Sequence, residues 1–150
     1  MEWMLMPLRR YAEFSGRSRR KEYWMFLLFT ALVAAVLVAL LLAGGLPAMM
    51  AGDPNGLAED PGPIFWLGAG LLGLFILGIF IPSIAVAVRR FHDRDMSGWW
   101  YLGFIVLGAI PYIGIIASIA SFVIMCLPGT PGPNRFGPDP KDPANASVFA

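Results

Sequence analysis

From Tyr23 to Gly52 the chain carries no charged side chain, and the segment YWMFLLFTALVAAVLVALLLAGGL at its heart is apolar but for Thr30. A helix needs about 20 consecutive apolar residues to cross the hydrocarbon core of a bilayer, and this segment reaches that length. A second charge-free stretch runs from Pro61 to Val88 around IFWLGAGLLGLFILGIFIPSIAVAV. A third runs from Met96 to Asn134 around WWYLGFIVLGAIPYIGIIASIASFVIMCL. Three runs of this length are hard to accommodate except as membrane-embedded segments. The expected fold class is an all-α membrane protein with three transmembrane helices, at about 23–46, 64–88 and 99–127. They form a single multi-pass domain over residues 1–143, and a Pro/Gly-rich tail occupies 128–150.

Composition points the same way. The chain is 57% hydrophobic and 14% charged, where soluble domains average roughly 45–50% and about 25%. Eleven basic residues oppose ten acidic ones, so there is no global field with which to hold nucleic acid. The lone Cys126 excludes an intramolecular disulfide and a cysteine-based zinc site. One histidine is too few for a histidine-built metal site, and no motif implies a cofactor. The first apolar run also exceeds the ~7–15 residues of a secretory h-region and begins only after residue 22, so it reads as a retained anchor.

The charges sort by loop. Residues 1–22 hold Arg9, Arg10, Arg17, Arg19, Arg20 and Lys21 against Glu2, Glu13 and Glu22. The first connection, AGDPNGLAEDPG, has Asp53, Glu59 and Asp60 and no base, whereas the second, RRFHDRD, has Arg89, Arg90 and Arg94. Lys and Arg are retained on the cytoplasmic side, so the N-terminus and RRFHDRD are expected inside and the acidic loop outside.

The third segment admits two readings. Trp99–Leu127 would be roughly 43 Å long as one helix, and AIPYIG places Pro111 and Gly114 near its middle. One reading is a single span kinked at Pro111. The other is a re-entrant hairpin turning at PYIG, whose freed backbone must be buried or wetted. The kinked span is favoured, because proline kinks are the common case. The tail cannot vote, since Arg135 and Lys141 balance Asp139 and Asp142.

At the start, Met4, Leu8, Tyr11 and Phe14 recur at helical spacing, as in a short interfacial helix on the inner leaflet; a mobile arm is the plain alternative. Gly16 is expected to break that helix, Ser18 to cap the next, and Glu22 to pair with Arg19 three residues earlier. Ala69 with Gly73, and Gly114 with Ser118, have the small-residue spacing that lets membrane helices approach closely. Prolines from Pro128 to Pro143 forbid a helix there, with turns expected at GPN and FGPD and an anchoring contact at Phe136. NAS at 145–147 matches the N-glycosylation pattern, a weak three-residue signal.

RRFHDRDMSGWW, residues 89–100, gathers the densest chemistry. His92 near Asp93 and Ser97 invites a catalytic reading. Yet adjacent helical residues point about 100° apart, so His92 and Asp93 do not face each other, and Ser97 lies off the face. The border reading has arginines at the headgroups, Trp99 and Trp100 in an aromatic belt, and Asp93 and Asp95 neutralising Arg89, Arg90 or Arg94. A third reading joins GRSRRK and RRFHDR into a basic collar that holds an anionic lipid headgroup or an acidic partner segment.

GRSRRKEYW before the first span, RRFHDRDMSGWW between the second and third, and PGTPGPNRFGPDP after the third occur in order. Together they closely resemble the domain of unknown function 805 family, small bacterial inner-membrane proteins of the YhaH type, from about Trp3 to Pro140. The resemblance implies inner-membrane residence and a multi-pass fold; it brings no activity and no catalytic residues. The expected function is a non-enzymatic membrane module binding lipid or a membrane-protein partner, including another copy of itself. Its surface would comprise Arg17, Arg20, Arg89, Arg90, His92, Asp93 and Trp99. A small transport or channel component is the alternative, and an interfacial enzyme ranks below it.

Overall fold

A computed structural model describes residues 2–46 and 61–142, and those residues are helical and loop with no strand longer than an isolated bridge. The acidic loop with Asp53, Glu59 and Asp60, and the NAS triplet, lie outside the described residues. The helices are α1 (Glu2–Arg9), α2 (Arg20–Ala43), α3 (Pro63–Asp93), α4 (Trp99–Gly108) and α5 (Ile113–Cys126). Two compact units result: Met1–Phe26 with Ile81–Ala150, and Leu27–Phe80. α2 and α3 each run through both.

The Leu27–Phe80 unit consists of the apolar lengths of α2 and α3. At 24 and 31 residues these helices are about 36 and 46 Å long, enough to cross a bilayer. Their most apolar windows have mean hydropathies of 3.0 and 2.6, and only 11% and 22% of those windows is buried. A soluble core helix of that hydropathy would be buried on most sides. Here Leu32, Val36, Trp66, Leu74 and Leu77 face outward. The helices touch most closely at Gly44, where a Cβ would collide with the backbone of Phe65, and at Gly68, 3.1 Å in the same sense from Leu40 Cβ. Gly73 meets nothing, so the close approach lies at Gly44 and Gly68 and not at the Ala69/Gly73 pair.

The other unit contains α1, the first two turns of α2, the last turns of α3, and the hairpin and tail. Its buried apolar residues include Met6, Phe26, Val86, Phe91 and Met125. Phe91 stacks on Phe104 of α4 at 5.8 Å, and Trp24 of α2 meets Phe122 of α5 edge-on at 5.4 Å. α3 ends in a left-handed cap: Met96 N–H bonds to the Phe91 carbonyl and Asp95 N–H to that of His92. Asp95 itself takes φ 57°, the position where such caps place a left-handed residue.

The third apolar segment is a helical hairpin, which corrects the preference for one kinked span. α4 and α5 are 10 and 14 residues, about 15 and 21 Å. Both outer ends return to the end of α3: Gly98 lies against Val88 and His92, and Arg90 Nε donates to the Met125 carbonyl at 3.3 Å. Pro111 alone would only kink the chain. Tyr112 adds φ 66°, and at Gly114 any Cβ would collide with the Gly108 carbonyl, so the two helices cross where neither has a side chain. Four of the turn's N–H groups are met locally. Ala109, Ile110, Ile113 and Gly114 N–H groups donate to Val106, Leu107, Pro111 and Ile110 carbonyls, and Pro111 has no N–H to place.

α1 is shorter than the Met4–Phe14 stripe suggests. It ends at Arg9, and its buried residues are Met6 and Pro7, while Tyr11 and Phe14 are exposed. Arg10 turns back onto Glu13 at 2.6 Å, and Gly16 at φ 81° redirects the chain into α2.

Candidate functional site: a polar node at the end of α3

Arg90 and Asp93 stand one turn apart on α3, so their side chains share a face. Arg90 Nη1 pairs with Asp93 Oδ2 at 2.5 Å. The other carboxylate oxygen of Asp93 takes Arg17, with Nε at 3.0 Å and Nη2 at 2.9 Å. The glycine turn at 16 delivers Arg17 to this position, and Ser18 N–H fixes the segment by donating to the Arg89 carbonyl at 3.1 Å.

The tail completes the node. Arg17 Nη1 donates to the Gly132 carbonyl and Nη2 to that of Thr130, both at 2.6 Å. Arg90 Nη2 donates to the Leu127 carbonyl, and Arg94 Nη1 to that of Pro128. In return the Asp93 carbonyl accepts from Thr130 N–H at 2.9 Å and from its hydroxyl at 3.2 Å. Gly129 lies so close over the Asp93 carboxylate that a Cβ there would collide with it. Prolines forbid a helix in this stretch, and the carbonyls a helix would have used internally are free to face the arginine forks.

His92 holds the rim. Its ring stacks on Phe136 at 4.0 Å and 3°, its Nδ1 lies 3.2 Å from the Gly16 carbonyl, and its own carbonyl accepts from Asn134 Nδ2 at 2.9 Å. Phe136 therefore is an anchor, as its setting in the tail suggests. The tail's turn falls on NRFG, where Asn134 and Gly137 exchange backbone bonds at 3.0 Å. Beyond it, Asp139 accepts from Lys141 N–H at 2.9 Å and Gly132 N–H at 3.0 Å. These two backbone donors, Lys141 first, hold the Asp139 carboxyl below its ordinary pKa.

A second buried pair flanks the node. Arg89 Nη1 lies 3.0 Å from Glu22 Oε1, so Glu22 pairs across to α3 and not with Arg19. Arg19 and Lys21 instead cover the Trp3 ring, each 5.4 Å from its centroid. Asp95 pairs with Arg135 at 3.2 Å, leaving Asp93 alone to balance Arg17 and Arg90. Near the start of α2, the Arg10 guanidinium bonded to Glu13 holds that carboxyl below its ordinary pKa.

The residues named from sequence thus divide. Arg17, Arg90 and Asp93 come together, and Arg89 sits beside them on Glu22. Their exposures of 0–1% are incompatible with arginines extended to headgroups. Arg20 is exposed and rests Nη1 on the Cys126 carbonyl at 3.1 Å. Trp99 is 77% exposed and lies on the hairpin, apart from the node. Thr130, Asn134 and the tail carbonyls were not among the named residues. Their signal was polar side chains set in a proline-rich stretch that cannot form its own helix. Among the described residues no three His, Cys, Asp or Glu side chains gather as a metal site would require.

Residues 11–138 match the family described as Protein of unknown function (DUF805), a range that contains the first two motif blocks, the third up to Pro138, and Arg17, Arg90, Asp93 and the tail carbonyls that meet them. The chain is 41% identical to Inner membrane protein YhaI of Escherichia coli strain K12 over 97% of its own length and 100% of that protein. It is 43% identical to Inner membrane protein YhaH of the same strain, over 94% of its length and 98% of that protein. No solved structure matches it significantly.

Proposed function

The chain belongs to the DUF805 family, and from that premise we propose that it is a non-enzymatic, multi-pass module of the bacterial inner membrane that binds anionic phospholipid headgroups. In this reading α2 and α3 cross the bilayer, while α4 and α5 enter and leave on one side. The basic end is cytoplasmic, because Lys and Arg are retained there. That puts the tail on the same side as the N-terminus.

One observation carries the binding role. With Arg17, Arg89 and Arg90 committed to carboxylates and carbonyls, Arg20 and Lys21 are left exposed at the foot of α2, Arg20 on the Cys126 carbonyl and Lys21 over the Trp3 ring. Exposed bases at such a border attract anionic headgroups by about 1 kcal/mol each. The test is retention of phosphatidylglycerol in native mass spectrometry. The double variant Arg20→Ala/Lys21→Ala should lose bound lipid while keeping its fold, and unchanged retention contradicts the proposal. A small transport or channel component is the second reading, supported by the interrupted backbone of the hairpin; flux into liposomes tests it.

A further inference from the structure

A groove of about 340 Å³ lies between the rim and the hairpin, lined by Phe14, Ile84, Val88, Trp99 and Leu102, with His92, Ser97 and Gly98 at its polar end. Of the residues of the node and its rim only His92 lines it, and neither Arg20 nor Lys21 does. No charged side chain lines it, so it does not suit a phosphate or carboxylate head. Gly98 packs directly against its wall: a Cβ there would stand 2.6 Å from Val88 Cγ1 and 3.3 Å from His92 Nε2.

The orientation of His92 fixes what that polar end offers. The Gly16 carbonyl can only accept, so Nδ1, 3.2 Å away, carries the proton. In the neutral ring Nε2 is then an acceptor. The Phe136 stack holds the plane of the ring, and the Gly16 contact sets which edge faces the groove. Ser97 lines the same end, and its Oγ accepts from Trp99 N–H at 3.4 Å. An apolar trough therefore ends in one fixed acceptor and one hydroxyl. Its mouth is formed by Trp99, Leu102 and Phe14, which are 77%, 44% and 42% exposed, so it opens onto the apolar surface of the hairpin.

We infer that this groove binds an uncharged, membrane-dissolved molecule bearing a hydroxyl, its apolar body along Ile84, Val88 and Leu102 and its O–H donated to His92 Nε2. A glycerolipid alcohol and a phenol such as a reduced isoprenoid quinone share this chemistry. The inference is independent of headgroup binding at Arg20 and Lys21.

The full chain in nanodiscs, probed with a hexadecanol carrying a chain diazirine, tests it by mapping crosslinked peptides. The alcohol should label the Ile84–Val88 and Trp99–Leu102 peptides about two- to tenfold more than its methyl ether, the span expected for one hydrogen bond. His92→Phe should bring that ratio to unity, and His92→Gln, which keeps an acceptor, should retain part of it. Leu102→Trp, which fills the groove from its open side without touching the node, should abolish labelling by both probes. Competition by dioleoylglycerol assigns the glycerolipid alcohol, and competition by a reduced isoprenoid quinone assigns the phenol. Equal labelling by alcohol and ether, labelling that survives Leu102→Trp, or failure of both competitors overturns the inference.

Discussion

Arg17 and Asp93, 76 residues apart in the chain, form an ion pair 1–2% exposed at 2.9 Å, and Arg90 holds the opposite oxygen of the same carboxylate. One acid thus serves two bases, and backbone carbonyls satisfy what remains of both guanidinium forks. Removing the acid leaves two buried cations uncompensated, a loss of about 3–5 kcal/mol. Asp93→Ala should lower the thermal unfolding midpoint in detergent sharply. Asp95→Asn, which removes the exposed pair with Arg135 while keeping a residue suited to φ 57°, should change stability by less than about 1 kcal/mol.

Gly129 tests whether the tail is seated on that carboxylate. Gly129→Ala places a methyl against an Asp93 side chain that two arginines prevent from moving. Overpacking of this kind costs about 1–3 kcal/mol. Limited proteolysis should cut the tail several-fold faster than in the unaltered chain. Phe136→Ala, which removes both the stack on His92 and the ring's burial, should do the same, the stack alone contributing about 0.5–1.5 kcal/mol beyond burial.

The seating of the tail should also depend on pH through Asp139. Its folded pKa is depressed by the Lys141 and Gly132 N–H groups. Its contribution is therefore complete above the unfolded value of about 3.9 and is lost as pH falls through the lower folded value. Hydrogen exchange of the Gly132 and Lys141 amides should rise, relative to their intrinsic rates, as pH falls below that window. Asp139→Asn should remove the dependence.

Gly103 and Gly114 make a contrast within the hairpin. A Cβ on Gly103 meets nothing within 4 Å, while one on Gly114 collides with the Gly108 carbonyl. Gly103→Ala should stabilise the hairpin by up to about 1 kcal/mol through helix propensity. Gly114→Ala should destabilise it, and thermal unfolding of the two variants in the same detergent distinguishes them.

The two long apolar helices were legible in the sequence because apolar runs are local signals, although α2 starts and ends earlier than expected and α3 runs on through the basic stretch to Asp93. So was Phe136 as an anchor, the lone aromatic of the proline-rich tail. The hairpin was not read correctly, because the kink and the reversal share the same local marks at Pro111 and Gly114. What decides between them is Arg90 reaching Met125, a contact 35 residues away. The collar arginines misled for a related reason. A border arginine has the same sequence neighbours whether it extends to lipid or folds inward, and Arg17 and Arg90 fold inward because Asp93 and the tail carbonyls meet them there. Glu22 was assigned to Arg19 by helical spacing, when its partner, Arg89, lies on another helix.

The α4–α5 hairpin, read as entering and leaving the membrane on one side, carries the largest topological consequence of the proposal, and reporters at the two ends of the chain test it directly. A green fluorescent protein lights only in the cytoplasm, and alkaline phosphatase is active only outside it. With the reporters placed before residue 1 and after Ala150, both ends should fluoresce and neither should show phosphatase activity. A fluorescent N-terminus with an active phosphatase after Ala150 is the outcome of a single kinked span, and it would contradict the hairpin.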